Sequence, residues 1–137
     1  MCLYTTLPNI PLIAEEDIIV YKIMDRTQNG ELRSFYRNMV YVIGEEYESL
    51  LKYFDTDEHD YNHREQGFIG RIEEGLHSYS RMHVILMNFI YSSDEIVVIE
   101  CIVPKGAEYY HGVFGSHHSI ASNKLRAVRI LGKDDVP

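Results

Sequence analysis

The chain has 137 residues, 45% of them hydrophobic and 25% charged, which is the size and make-up of one soluble globular domain over 1–137 and a poor fit to disordered, collagen-like or membrane classes. Thirteen Lys and Arg against 21 Asp and Glu give a formal charge of −8, which argues against a nucleic-acid binder, because phosphate neutralisation needs clustered cations. Cys2 and Cys101 are the only cysteines, too few for a disulfide framework.

The N-terminal stretch MCLYTTLPNIPLIAEED lacks the basic region and continuous apolar run of a leader, and no later segment approaches the ~18 apolar residues that span a bilayer. A reduced, cytoplasmic protein is expected. Asp17 to Met24, DIIVYKIM, is β-branched and aromatic and is followed by Gln28, Asn29 and Gly30, a strand with a turn after it. Met39 to Ile43 is a second apolar run, stopped at Gly44. In EEYESLLKYF beyond it, Tyr47, Leu50, Leu51 and Phe54 recur at helical spacing and predict a short helix. Asp55 to Gln66, DTDEHDYNHREQ, has almost no apolar content and reads as an exposed loop.

Ser78 to Tyr91 carries Met82, Ile85, Leu86, Phe89 and Ile90 at i, i+3, i+4, i+7 and i+8, with Ser78 or Ser80 in N-cap position. It is the strongest helix signal in the chain. Glu95 to Val103, closed by Pro104, suits a central strand buried on both faces with Cys101 as a buried thiol. Tyr109 to Ser119, YYHGVFGSHHS, reads as a glycine-hinged loop, and Lys124 to Leu131 as a last strand. Strands before, around and after one main helix predict an α+β domain with a mainly antiparallel or mixed sheet.

His59 and His63 stand four apart among Asp55, Asp57 and Asp60, yet in residues that favour loops over helix, so no metal site and no cofactor is expected there. His117 and His118 are adjacent and in a strand would point to opposite faces. No GxSxG nucleophile elbow, P-loop or GxGxxG pattern occurs in the sequence, so those routes to catalysis or phosphate binding lack support. Eleven Tyr beside five Phe and no Trp suit interfaces and ligand pockets as well as half-buried sheet faces. Charge is uneven: Glu45 to Glu74 holds ten acids and three bases. This is either a solvated face or a surface for a basic partner, and its candidate residues are Glu45, Glu46, Glu48, Asp55, Asp57, Glu58 and Asp60. The candidate ligand-binding set is His77, Tyr79, Ser80, Tyr109, Tyr110, His111, Ser122 and Asn123.

The blocks IIVYKIM (Ile18 to Met24), SFYRNMVYVIGEEY (Ser34 to Tyr47), IEEGLHSY (Ile72 to Tyr79), VVIECIVPKGAEYYHG (Val97 to Gly112) and IASNKLRAVRI (Ile120 to Ile130) resemble a family of small uncharacterised proteins from phages and gut Bacteroides-type bacteria. That resemblance implies a source and no activity. The segment EEGLHSYSR followed by a helix and VVIECIVPKG is more faintly similar to ADP-ribosyltransferases of the poly-ADP-ribose polymerase type, which would place His77, Tyr79 and Ser80 near a nicotinamide ribose. Three functions follow as expectations. The first is a non-catalytic binding protein of phage or mobile-element type, a counter-defence inhibitor that meets a basic protein surface or a protein that sequesters a nucleotide-like ligand. An ADP-ribosyltransferase-like or NAD-processing enzyme is the alternative, and an oligomeric virion or structural component the third.

Overall fold

The computed structural model describes residues 3–34, 39–56, 61–81, 96–115 and 117–131. Its strands, in chain order, are β1 (Leu3–Thr5), β2 (Leu12–Ile13), β3 (Ile18–Arg26), β4 (Leu32–Ser34), β5 (Val40–Tyr41), β6 (Glu46–Glu48) and β7 (Lys52–Asp55). After the five-residue helix α1 (Tyr61–Glu65) come β8 (Gly70–Glu74), β9 (Leu76–Tyr79), β10 (Ile96–Val103), β11 (Glu108–Phe114), β12 (His117–Ser122) and β13 (Lys124–Leu131). They form one continuous sheet with the order β6-β13-β10-β3-β9-β12-β11-β1-β8-β7. The β4-β5 hairpin is attached to β3, and β2 to β11. All of the pairings are antiparallel.

The sheet curls into a half-barrel. Its end strands β6 and β7 follow one another in the chain, separated only by residues 49–51, a span that reaches about 3.3–3.6 Å per residue. The connection is tied down where the Ser49 amide donates to the Asn123 carbonyl at 2.9 Å.

Side chains alternate between faces along a strand, and the sheet uses both. One core gathers Val20 and Met24 of β3, Val97, Ile99, Cys101 and Val103 of β10, and Leu125 and Ala127 of β13, with Leu76 and Ile120. A second gathers Leu3, Ile72, Tyr110 and Ala121, flanked by Leu7, Leu51 and Tyr53. Ile120 and its neighbour Ala121 belong to different cores, so the sheet changes its buried face at β12, where four consecutive residues from Ser119 to Ser122 are buried. On β10 the intervening Val98 packs with Leu131 on the opposite face, so that strand is apolar on both sides. Between Glu100 and Cys101 the register against β13 shifts. Val128 is the extra residue.

The α+β expectation is therefore corrected to an almost all-antiparallel β fold. The helix expected over Ser78 to Tyr91 does not begin where its caps suggested, because Ser78 and Tyr79 lie in β9, paired with Ile120 and Ser119. Residues 82–91 lie outside those described. The short helix expected in EEYESLLKYF is two strands instead. Tyr47 packs on the first core and Leu51 on the second, while Leu50 and Phe54 are 67% and 40% exposed, so the four apolar residues share no face. Among the described residues α1 is the sole α-helix, inside the stretch expected to be an exposed loop. His63 of α1 stacks on Tyr4 with ring centroids 3.7 Å apart.

The YYHGVFGSHHS stretch is a β-hairpin rather than an open loop. Phe114 pairs with His117, and the turn between them begins at Gly115 with φ of 62°, a conformation open to glycine at little cost.

Candidate functional site

Register shows which of the expected ligand residues share a face. His77 pairs with Ala121, and Ala121 with Tyr110, so these three form a row across β9, β12 and β11 on the face of the second core. Tyr79 belongs to that face as well, edge-on to His117 at 6.0 Å between ring centroids. Leu76, Ser122 and Tyr109 form the neighbouring row on the other face, and His111 points with them, exposed. The eight residues are therefore divided by the sheet and do not converge on one cleft.

Several of them are occupied with the fold. Ser122 Oγ donates to the Lys124 carbonyl at 2.9 Å, and the Tyr110 hydroxyl donates to Asn9 Oδ1 at 3.1 Å. Asn123 accepts the Glu108 amide on Oδ1 at 2.9 Å and donates its own amide to the Glu108 carbonyl at 3.0 Å. The Ser80 amide donates to the His118 carbonyl at 3.1 Å, which closes the β9-β12 pairing. Burial pushes the hydroxyls of Tyr79 and Tyr110 above the usual tyrosine range, with Tyr53 and Glu108 adding to the effect at Tyr110.

The most perturbed ionisable groups lie where β3 and β9 part after their one pairing, Tyr21 with Tyr79. Lys22 turns its ammonium inward, 5.3 Å from the centre of the Tyr41 ring, and donates to the main-chain carbonyl of His77. Burial lowers Lys22 to about 8, against a smaller opposing effect of Cys101. Burial also raises the Cys101 thiol to about 12 and moves the Tyr41 hydroxyl further above its ordinary range. His77 donates from Nδ1 to the Gly75 carbonyl at 3.1 Å. It is lowered to about 4, first by burial and then by Lys22. His77 Nε2 and Ser78 Oγ are buried with no hydrogen-bond partner. Sequence reading missed Lys22, because a lone lysine in DIIVYKIM looks like an edge residue; its position on the same face as Val20 and Met24 was the available signal.

The acidic stretch is split between the two ends of the sheet. Glu45, Glu46, Glu48 and Asp55 are exposed, with Glu46 and Glu48 on β6 and Asp55 on β7. Glu48 meets Lys124 at 3.8 Å between two exposed side chains, a contact worth little. Asp57, Glu58, Asp60 and His59 lie outside the described residues. Among the described residues no three His, Cys, Asp or Glu side chains are grouped to hold a metal ion.

A surface that sequence reading did not single out lies beside β2. Leu12, Ile13, Ile19 and Tyr109 line an open groove of about 590 Å³, rimmed by Glu15, Glu16 and Asp17. Ile13 and Ile19 are 53% and 54% exposed. The signal was in IPLIAEED, an apolar pair followed by three acids. Among the described residues no helix is long and apolar enough to cross a membrane.

Comparison of the chain with family models, with curated proteins and with solved structures finds no match.

Proposed function

We propose that the protein is a non-catalytic binding protein of phage or mobile-element type that works in the cytoplasm by covering a basic surface of another protein, as a counter-defence inhibitor would. The observation that carries this reading is the exposure of Glu45, Glu46, Glu48 and Asp55 in or next to β6 and β7, the two end strands of one curled sheet, each of which has one strand neighbour among the described residues. The chain links those edges through residues 49–51, so the acids of β6 and β7 follow one another along a single run of chain. Glu45, Glu46 and Asp55 form no salt bridge among the described residues. Their charge is thus available to steer and hold a cationic partner. The same charges discourage edge-to-edge pairing with another sheet, which keeps the edges open for such a partner.

Pulldown from host lysate at low and raised salt tests the reading, with a Glu45→Lys, Glu46→Lys, Glu48→Lys variant beside the wild type. A partner retained at low salt, released at raised salt and lost in the variant is the expected result. Capture that ignores both salt and charge reversal would overturn it.

A further inference from the structure

The groove beside β2 has three properties that together specify an occupant. Its floor is apolar, built from Leu12, Ile13 and Ile19 with the ring of Tyr109. Its rim is anionic: Asp17 turns its carboxylate back to accept the Lys105 amide at 2.9 Å, and Glu15 and Glu16 are exposed. The third property comes from the backbone. β2 pairs with β11 through Leu12 with Tyr109 and Ile13 with Glu108, and among the described residues its other edge has no strand partner.

That edge exists because β1 and β2 lie along the same side of β11. β1 meets it at Val113 and β2 at Glu108 and Tyr109. The residues between them leave the strand, held by the Tyr53 hydroxyl on the Leu7 carbonyl at 2.8 Å and by the Tyr110 hydroxyl on Asn9. β8, which pairs with β1 at Leu3 to Thr5, does not extend to β2. A two-residue strand with exposed apolar side chains is thus left open at one edge, next to a cluster of acids.

We infer that this groove binds an extended cationic peptide segment of a partner protein, which adds to the free edge of β2 while alternate apolar side chains rest on Ile13 and Ile19 and its lysines or arginines face Glu15 and Glu16. Strand addition supplies main-chain hydrogen bonds, and the alternation of side chains supplies selectivity. The inference rests on the binding-protein reading above and names a second contact surface and the chemistry of what it takes.

The test is a titration of the full chain, followed by fluorescence anisotropy, with a short synthetic peptide alternating lysine and valine. Two reference peptides accompany it, one alternating lysine and serine and one with the lysine and valine sequence N-methylated along one edge. The lysine-valine peptide should bind, and each reference should bind about tenfold more weakly or worse. Ile13→Asp and the pair Glu15→Lys, Glu16→Lys should each weaken the lysine-valine peptide to a similar degree with an unchanged melting temperature. If Ile13→Asp fails to fold, Ile19→Asp carries the same expectation.

Equal binding of the lysine-serine or N-methylated peptide, or wild-type affinity in the groove variants, would overturn the inference. Failure of the groove is distinct from failure of the wider reading. A lysate partner lost on reversal of Glu45, Glu46 and Glu48 but kept by the groove variants removes the groove alone. Absence of any salt-sensitive partner removes both.

Discussion

The ammonium of Lys22 is bonded to the main-chain carbonyl of His77, so a charged side chain closes the gap that opens where β3 and β9 separate. A hydrogen bond to an ionised donor is stronger than a neutral one, but burial of the charge opposes it, as the lowering of Lys22 to about 8 shows.

Lys22 should leave a mark on stability in mild alkali. The unfolded chain keeps this proton up to about 10.5 while the folded one releases it near 8, so the unfolded state binds more protons and stability rises with pH in that window. The gain between pH 8 and 9 is about 1 kcal/mol. Cys101 acts with the opposite sign, because its thiol ionises near 9 when unfolded and near 12 when folded. Urea unfolding of wild type and Lys22→Met across that range separates the two, since the variant keeps only the cysteine effect. Parallel profiles would refute this role for Lys22.

His77 should control acid stability. Its folded value near 4 lies below the ordinary 6.5, so the unfolded chain takes up the proton first and stability falls as pH drops from 6.5 to 4. The loss is on the order of 2–3 kcal/mol. His77→Asn keeps a donor for the Gly75 carbonyl without an imidazole to protonate, and its unfolding midpoint should decline less than that of the wild type over the same range. Chemical denaturation at neutral pH and at the acid end of that window checks this.

Two glycines hold the second core together by what they lack. A Cβ on Gly112 would stand 2.0 Å from the Tyr4 carbonyl oxygen, and one on Gly70 would stand 2.1 Å from the Tyr53 ring. Backbone cannot yield as a side chain can, so Gly112→Ala should cost about 3 kcal/mol or more. Gly70→Ala should be relieved by Tyr53→Leu, which removes the ring atoms in the way. A double-mutant cycle on thermal unfolding measures the coupling, expected at about 1 kcal/mol or more; strict additivity would contradict the geometry.

Asn123 joins β11 to the connection between the sheet ends through its contacts with Glu108 and Ser49. Asn123→Ala removes the side-chain acceptor of the exposed Glu108 amide and should cost about 0.5–1.5 kcal/mol. It should also speed proteolytic cleavage within residues 49–51 more than cleavage elsewhere. A cleavage pattern identical to that of the wild type would show that the side chain does not anchor this link.

Strands that pair on both sides were legible in the chain. Ile18–Arg26, Ile96–Val103 and Lys124–Leu131 are β-branched runs, and their apolar content follows from burial on one or both faces. Legibility fails where spacing is a coincidence of two different destinations. Tyr47 and Leu51 are four apart, as on a helix, yet each fills a separate core. Ser78 looks like an N-cap because serine favours one, but it faces the interior of the sheet beside Ile120. The candidate site was legible as residue types and not as an arrangement. Tyr109 and Tyr110 are consecutive and aromatic, and the sheet sends them to opposite faces, one to the groove and one to the second core.

β12 delivers Ile120 to one core and Ala121 to the other, and this makes the two halves of the molecule hostages to a single register. Insertion or deletion of one residue there would exchange the two side chains, placing isoleucine where only a methyl fits and leaving a void where it had been. The hairpin turn at Gly115 can accept added length, but the strand it leads into cannot. Homologous chains, however far their surfaces diverge, should keep the count of residues between that turn and Asn123 constant.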